Sequence, residues 1–258
     1  VFFRALLFAL TLVSGKLVHA EGNASVAIII DDLGHSLKKG QAFIDLPASI
    51  TFAILPHTAH SRSIAESATA ANKEVIVHLP MANLKNTPIG PGGLTATQPR
   101  VDFLLTLDAA INDVPFAKGI NNHTGSYLTQ QPQQMQWLMG DMKRRGFYFV
   151  DSRTTPNSVA RDTAERFGVT TSSRDVFLDN ETSFESIDAA FSKLVKKAKE
   201  NGTAIAIGHP YPETLNYLRD AIPRLEALGI AVLPVSGLIA KQQPVAANED
   251  ATMLTAQE

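Results

Sequence analysis

The chain has 258 residues, 45% of them hydrophobic and 19% charged, with 23 basic against 25 acidic side chains. That length buries a sizeable core in one large α/β domain or two small ones, and the near-neutral balance carries no electrostatic footprint for nucleic acid. Cys is absent, which excludes disulfides, thiolate metal sites and cysteine nucleophiles; any metal must be held by carboxylates and by the seven His.

The first 20 residues read as a secretory signal peptide. Arg4 precedes an uncharged run from Ala5 to Gly15, and Val18-His19-Ala20 places small residues ahead of a cut. The run is too short to span a bilayer, which takes ~20 residues. The expectation is a periplasmic or secreted protein with no stable membrane span after cleavage.

From residue 26 to about 239, short apolar or β-branched runs alternate with longer helix-like stretches. Strands are expected over Val26–Ile30, Ile50–Leu55, Glu74–Val77, Gly119–Asn121, Phe147–Val150, either Val169–Thr171 or Val176–Leu178, Thr203–Ile207 and Ile230–Leu233. Helices are expected over 60–72, 101–112, 132–145, 158–167, 186–200 and 212–228. Gly146, Gly168, Gly202 and Gly229 follow four of them, where a left-handed residue turns the chain into the next strand. Apolar strands alternating with helices indicate a parallel sheet, and this many units suggest a barrel or near-barrel. The segment 83–99, rich in Pro and Gly, is a long loop, either a functional lid or an insertion with no role. Residues 21–240 form the domain, and 241–258 read as a disordered tail.

The polar residues collect where parallel α/β folds build their sites, at the carboxyl ends of the strands. Asp31, Asp32, His57, His78, His123, Asp151 and His209 all fall there. Of two adjacent carboxylates, one can bind a divalent ion while its neighbour takes a proton from water; the pair can also be helix caps. Two His and a carboxylate with an open position match a catalytic zinc site, and His209 on another strand can protonate a leaving group. Asn121 and Asn122 can bond a sugar hydroxyl or satisfy backbone groups. Asp151 and Arg153 can contact substrate or pair with each other. Tyr211 can stack on a sugar face or cover the rim, and His57 can line the site or act as a ligand.

IIIDDLGHS, FAILPH, VIVHLPM, NNHTGS, FVDSRTT and AIAIGHP, in order over residues 25 to 240, resemble the divergent polysaccharide deacetylase family, a branch of the NodB-type carbohydrate esterases. The resemblance implies a distorted (β/α) barrel of about seven parallel strands and a divalent metal, usually zinc. It also implies hydrolysis of acetyl groups on a polysaccharide or cell-wall glycan. By position, Asp31 would be the general base, Asp32 a metal ligand and His209 the general acid. Ordinary NodB-type enzymes take both His ligands from an H-x-x-x-H pair after the third strand. Only His78 stands there, and His123 from the next strand is the expected substitute. The usual arginine motif after the fourth strand is absent, and Arg153 comes one strand later. Arg153, Asp151, Asn122, His57 and Tyr211 are the expected substrate contacts. An alternative is a glycan-binding or envelope-assembly protein that keeps the fold without catalysis.

Overall fold

The computed structural model describes residues 24–242. The proposed signal peptide lies outside the described residues, as does the tail from residue 243.

Nine parallel strands are followed in chain order by helices: β1 (Ser25–Leu33), α1 (Leu37–Ile44), β2 (Thr51–Ile54), α2 (Ser61–Ala70), β3 (Glu74–Met81), α3 (Arg100–Asp113), β4 (Gly119–Thr124), α4 (Pro132–Arg145), β5 (Tyr148–Asp151), α5 (Ala160–Arg166), β6 (Thr171–Ser173), β7 (Val176–Phe177), α6 (Phe184–Asn201), β8 (Thr203–Gly208), α7 (Pro212–Ala227), β9 (Ala231–Val232) and α8 (Val235–Gln242). The sheet order is β6-β5-β4-β3-β2-β1-β8-β7, with β9 alongside β1. Among the described residues β6 and β7 do not pair, so the barrel is open at one seam. Only Arg174 and Asp175 separate those two strands. The Arg174 N–H donates to the Asp151 carbonyl and the Asp175 N–H to the Ile205 carbonyl, which hooks the link to β5 on one side and β8 on the other.

Three sequence expectations need correction. Both candidates for the sixth strand form, as β6 and β7. The short helices α1 and α8 were not foreseen, because eight residues give too few turns for a clear apolar stripe. Lys241 and Gln242, expected in the tail, belong to α8, and the rest of the expected tail lies outside the described residues.

The long strands β1, β3 and β8 are buried on both faces, and alternate residues serve two different cores. Val26, Ile28 and Ile30 of β1 pack outward against the helices; Ala27 and Ile29 point into the barrel with Ala53, Ile76, Val150, Ile205 and Ile207. Helix α8 closes the amino end of that interior with Val235, Leu238 and Ile239. Helix ends follow local chemistry. Lys143, Arg144 and Arg145 complement the carboxyl end of α4, and Gly146 at φ +71° takes the left-handed position that stops it.

Candidate active site

The two-residue period of a strand decides which polar side chains reach the barrel mouth. On β1 the inward series Ala27, Ile29 continues to Asp31. On β3 Ile76 is followed by His78, and on β8 Ile205 and Ile207 are followed by His209. On β4, Ile120 packs outward, so Asn121 and His123 face inward. Asp32 has the wrong parity, and the backbone corrects it. Between Ile30 and Leu33 the register against β2 slips, so β1 carries one more residue than its partner, and Asp32 sits at φ +57°. A bulge of this kind re-aims a side chain, and Asp is among the few non-glycine residues that accept the left-handed region. Two consecutive carboxylates thereby face one site. The following Gly34, at φ +131°, has no room for a Cβ, which would fall 2.1 Å from the Thr58 hydroxyl.

Asp32 Oδ1, His78 Nε2 and His123 Nδ1 converge: His78 lies 3.1 Å and His123 2.9 Å from the carboxylate oxygen, and the two imidazole nitrogens are 3.0 Å apart. The rings stand edge to face at 76°. Asp32 Oδ1 is buried, and what it faces is these two imidazole nitrogens. A buried acceptor facing two imidazole nitrogens is the donor set that a divalent cation satisfies, and two His with one carboxylate suit zinc. The residues present therefore fit the metal that the sequence resemblance implies. The Asp32 and His123 side chains remain 34% and 26% exposed, which leaves an approach for substrate.

Asp31 lies behind this group and is 2% exposed. Its Oδ1 accepts from Asn121 Nδ2 at 2.7 Å, and its Oδ2 is 3.6 Å from His78 Nε2. Burial raises its carboxyl above the ordinary carboxylate value, against the pull of the His78 and His209 charges. Asp32 moves the other way: burial opposes ionisation, but hydrogen bonds and charge from His123 and His78 prevail and hold its carboxyl far below the usual range. Burial works to lower His78, and the two carboxylates outweigh it and raise it.

Across a cavity of about 230 Å³, lined by Asp32, His35, Lys39 and Tyr211 among others, stands His209. Its Nδ1 bonds Asp179 Oδ1 at 2.8 Å, while Asp179 Oδ2 accepts from the His209 N–H and from Thr214 Oγ1. Asp179 is fully buried at the side chain, so the pairing is shielded from water. Burial works to lower the His209 imidazole, but the Asp179 hydrogen bond and the charges of Asp179, Asp31 and Asp32 raise it to about 9. With Nδ1 turned to Asp179, Nε2 is the nitrogen left for the cavity. Phe177 stacks on the ring at 28°, and Arg174 lies 3.7 Å above Phe177.

The structure thus brings together Asp31, Asp32, His78 and His123, with His209 and Tyr211 on the facing wall of the cavity. Other expected contacts lie elsewhere. Asp151 has outward parity and is fully buried; its oxygens accept the Arg153 backbone N–H and the Ser158 hydroxyl, so it forms neither a substrate contact nor an ion bridge to Arg153. The Arg153 side chain is exposed at φ +51°. The half-buried guanidinium near this rim belongs instead to Arg174, which donates to the Ser152 and Arg153 carbonyls. Asn122, also of outward parity, satisfies backbone: it accepts from the Ser152 N–H and donates to the Thr124 carbonyl. His57 is exposed, its N–H bonded to Asp113 and its ring packed where a Cβ on Gly92 would fall. Sequence reasoning missed two residues: Asp179, and Asn121 as the bridge between Asp31 and His78. The signal for Asn121 was its spacing of two from His123. For Asp179 it was a place at the end of the Val176–Leu178 run.

Comparison with known proteins bears on the fold and the family. The uncharacterized protein YibQ of Escherichia coli is 35% identical over 218 residues, covering 84% of this chain and 68% of YibQ. An uncharacterized protein of Agrobacterium tumefaciens C58, of known structure, superposes with a TM-score of 0.81 at 24% identity, covering 84% of this chain and 89% of that one. The peptidoglycan deacetylase PdaC from Bacillus subtilis shares the fold at a TM-score of 0.54 and 12% identity, covering 85% of this chain and 93% of PdaC. Residues 28–239, almost all of the described barrel, match the divergent polysaccharide deacetylase family, and the chain belongs to that family.

Proposed function

We propose that this chain is a zinc-dependent hydrolase that removes acetyl groups, as N-acetyl amides or O-acetyl esters, from an envelope polysaccharide. The observation that carries the reading is the convergence of Asp32, His78 and His123 beside a buried Asp31, with the His209–Asp179 pair across the cavity. The leader-like first 20 residues support action outside the cytoplasm, and PdaC, named as a peptidoglycan deacetylase, supports a glycan substrate on this fold.

Asp32, His78 and His123 would hold the metal, which when bound polarises the acetyl carbonyl and acidifies a water molecule. Asp31 takes a proton from the attacking water, a role its raised carboxyl suits because general bases work best near the ambient pH. The water oxygen bonds the acetyl carbon, and the carbon–nitrogen or carbon–oxygen bond to the sugar breaks. His209, held protonated at neutral pH by Asp179, gives its proton from Nε2 to the departing sugar nitrogen or oxygen. Acetate and the free sugar amine or hydroxyl result.

The reading of a binding protein without catalysis drew on the absent H-x-x-x-H pair, and His123 in the second imidazole position weighs against it. The test is acetate release from acetylated glycan by the purified protein with zinc added. Turnover that disappears in Asp31→Asn and Asp32→Ala is expected. Glycan binding with no acetate release would turn the assignment to the binding protein, and turnover surviving both substitutions would overturn the mechanism.

A further inference from the structure

The geometry points to Asn121 as a positioning residue that orients Asp31 and His78 together through one amide. Asn121 is fully buried, and both ends of its side chain are used. Nδ2 donates to Asp31 Oδ1 at 2.7 Å, and Oδ1 faces His78 Nδ1 at 2.8 Å. The amide cannot be turned around. An ionised carboxylate only accepts, so the NH2 must face Asp31 and the carbonyl must face the imidazole. A carbonyl only accepts in turn, so His78 must carry its proton on Nδ1. That leaves the Nε2 lone pair directed at Asp32 Oδ1 and His123 Nδ1, as a metal ligand requires. The same amide occupies Asp31 Oδ1, which leaves Oδ2 as the oxygen free to take a proton.

The backbone makes this arrangement specific to position 121. Asn121 is the ladder partner of His78 across β3 and β4, and it shares a strand face with His123 two residues on. Its neighbour Asn122 has the same chemistry and the opposite face, and it bonds only backbone groups. An amide can hold the base and the ligand together because it offers a donor at one end and an acceptor at the other. A carboxylate would serve only the His78 side, and an aliphatic side chain neither.

Two near-isosteric variants separate these halves. Asn121→Leu removes both bonds, and Asn121→Asp keeps an acceptor for His78 Nδ1–H while presenting Asp31 with another acceptor. Zinc affinity is measured by competition with a chromogenic chelator. Loss of such an outer partner typically weakens metal binding roughly 10–100-fold. That loss is expected for Asn121→Leu, with Asn121→Asp staying within about threefold of wild type. The His78 tautomer is read from long-range 15N–1H spectra of the zinc-free protein at alkaline pH, where the ring is neutral. Nδ1–H is expected in wild type and Asn121→Asp, and Nε2–H in Asn121→Leu. A wild-type His78 protonated on Nε2 overturns the proposal whatever the variants do. Equal zinc loss in both variants, or none in Asn121→Leu, overturns it as well. The affinity arm rests on the proposed metal site, whereas the tautomer arm does not. A wild type that binds no zinc would therefore remove that function and leave the role of Asn121 to be decided by the spectra.

Discussion

The barrel interior has a polar cluster at each end, and a single strand serves both. On β3 the inward column runs Glu74, Ile76, His78: acid at the amino-end floor, apolar in the middle, imidazole at the carboxyl-end rim. At the floor, Glu74 Oε1 gathers donors, namely the Thr51 and Tyr148 hydroxyls and the Ser236 N–H. Burial and the Glu74 charge push the Tyr148 phenol well up, so it stays a donor. The remaining oxygen, Oε2, has no partner among the described residues, and Glu74 lines a cavity of about 450 Å³ with Lys73 and Ser236. At the rim the buried carboxylates meet imidazole nitrogens and each other. A buried acid is therefore no sign of function in itself; the chemistry of its neighbours decides. Donors tie β2, β3, β5 and α8 together, whereas lone pairs directed at a common point suit a cation.

Mutation should break the two clusters in opposite ways. The largest expected effect is at the rim, where Asp31→Asn lowers the rate of acetate release by roughly 10²–10⁴-fold, the usual range for a general base. Because burial raises this acid, its ionised form costs stability at neutral pH, and the metal-free variant should melt no lower than wild type. Next comes zinc itself: at about 100 times the dissociation constant it should add about 2.7 kcal/mol to wild type and nothing to Asp32→Ala, read as a thermal shift. The floor responds differently. Tyr148→Phe leaves Glu74 short of a donor and should cost about 1–3 kcal/mol, roughly 2–4 °C of melting temperature per kcal/mol, with zinc affinity unchanged. The smallest effect is one of pH. His209 is raised to about 9, so the stability it contributes is complete below about pH 6.5 and lost as pH rises through about 9. Asp179→Asn removes much of that support, and the alkaline limb of the pH–rate profile should move down, lowering the rate at pH 8 by about tenfold. An unmoved limb would show that His209 is not the acid.

The sequence made the rim legible wherever an apolar run ended in a titratable residue, as at Asp31, His78 and His209. It did not reveal side-chain parity, because β1, β3, β4 and β8 run on past the apolar stretches that mark them. Had β4 been extended to Thr124, the spacing from His123 would have selected Asn121 over Asn122. The same count on β5 would have turned Asp151 away from the site. Asp32 shows the converse: parity alone would have rejected it, and only the bulge with its left-handed backbone brings it in. Asp179 was hidden for another reason, since β7 has two residues and gives hardly any periodic signal.

The open seam bears on how such a barrel can vary. Elsewhere neighbouring strands are spaced by their hydrogen-bond ladder, whereas β6 and β7 are spaced by the reach of a two-residue link and by the carbonyls of Asp151 and Ile205 that it hooks. Lengthening that link would loosen the circumference without breaking a ladder. Asp151 and Asp179 stand on either side of it, the second carrying His209. The ladder that joins β1 to β8 as far as Ile30 and Gly208 fixes the spacing of Asp31 and Asp32 from His209, so a change at the seam would reach that imidazole only through Asp179.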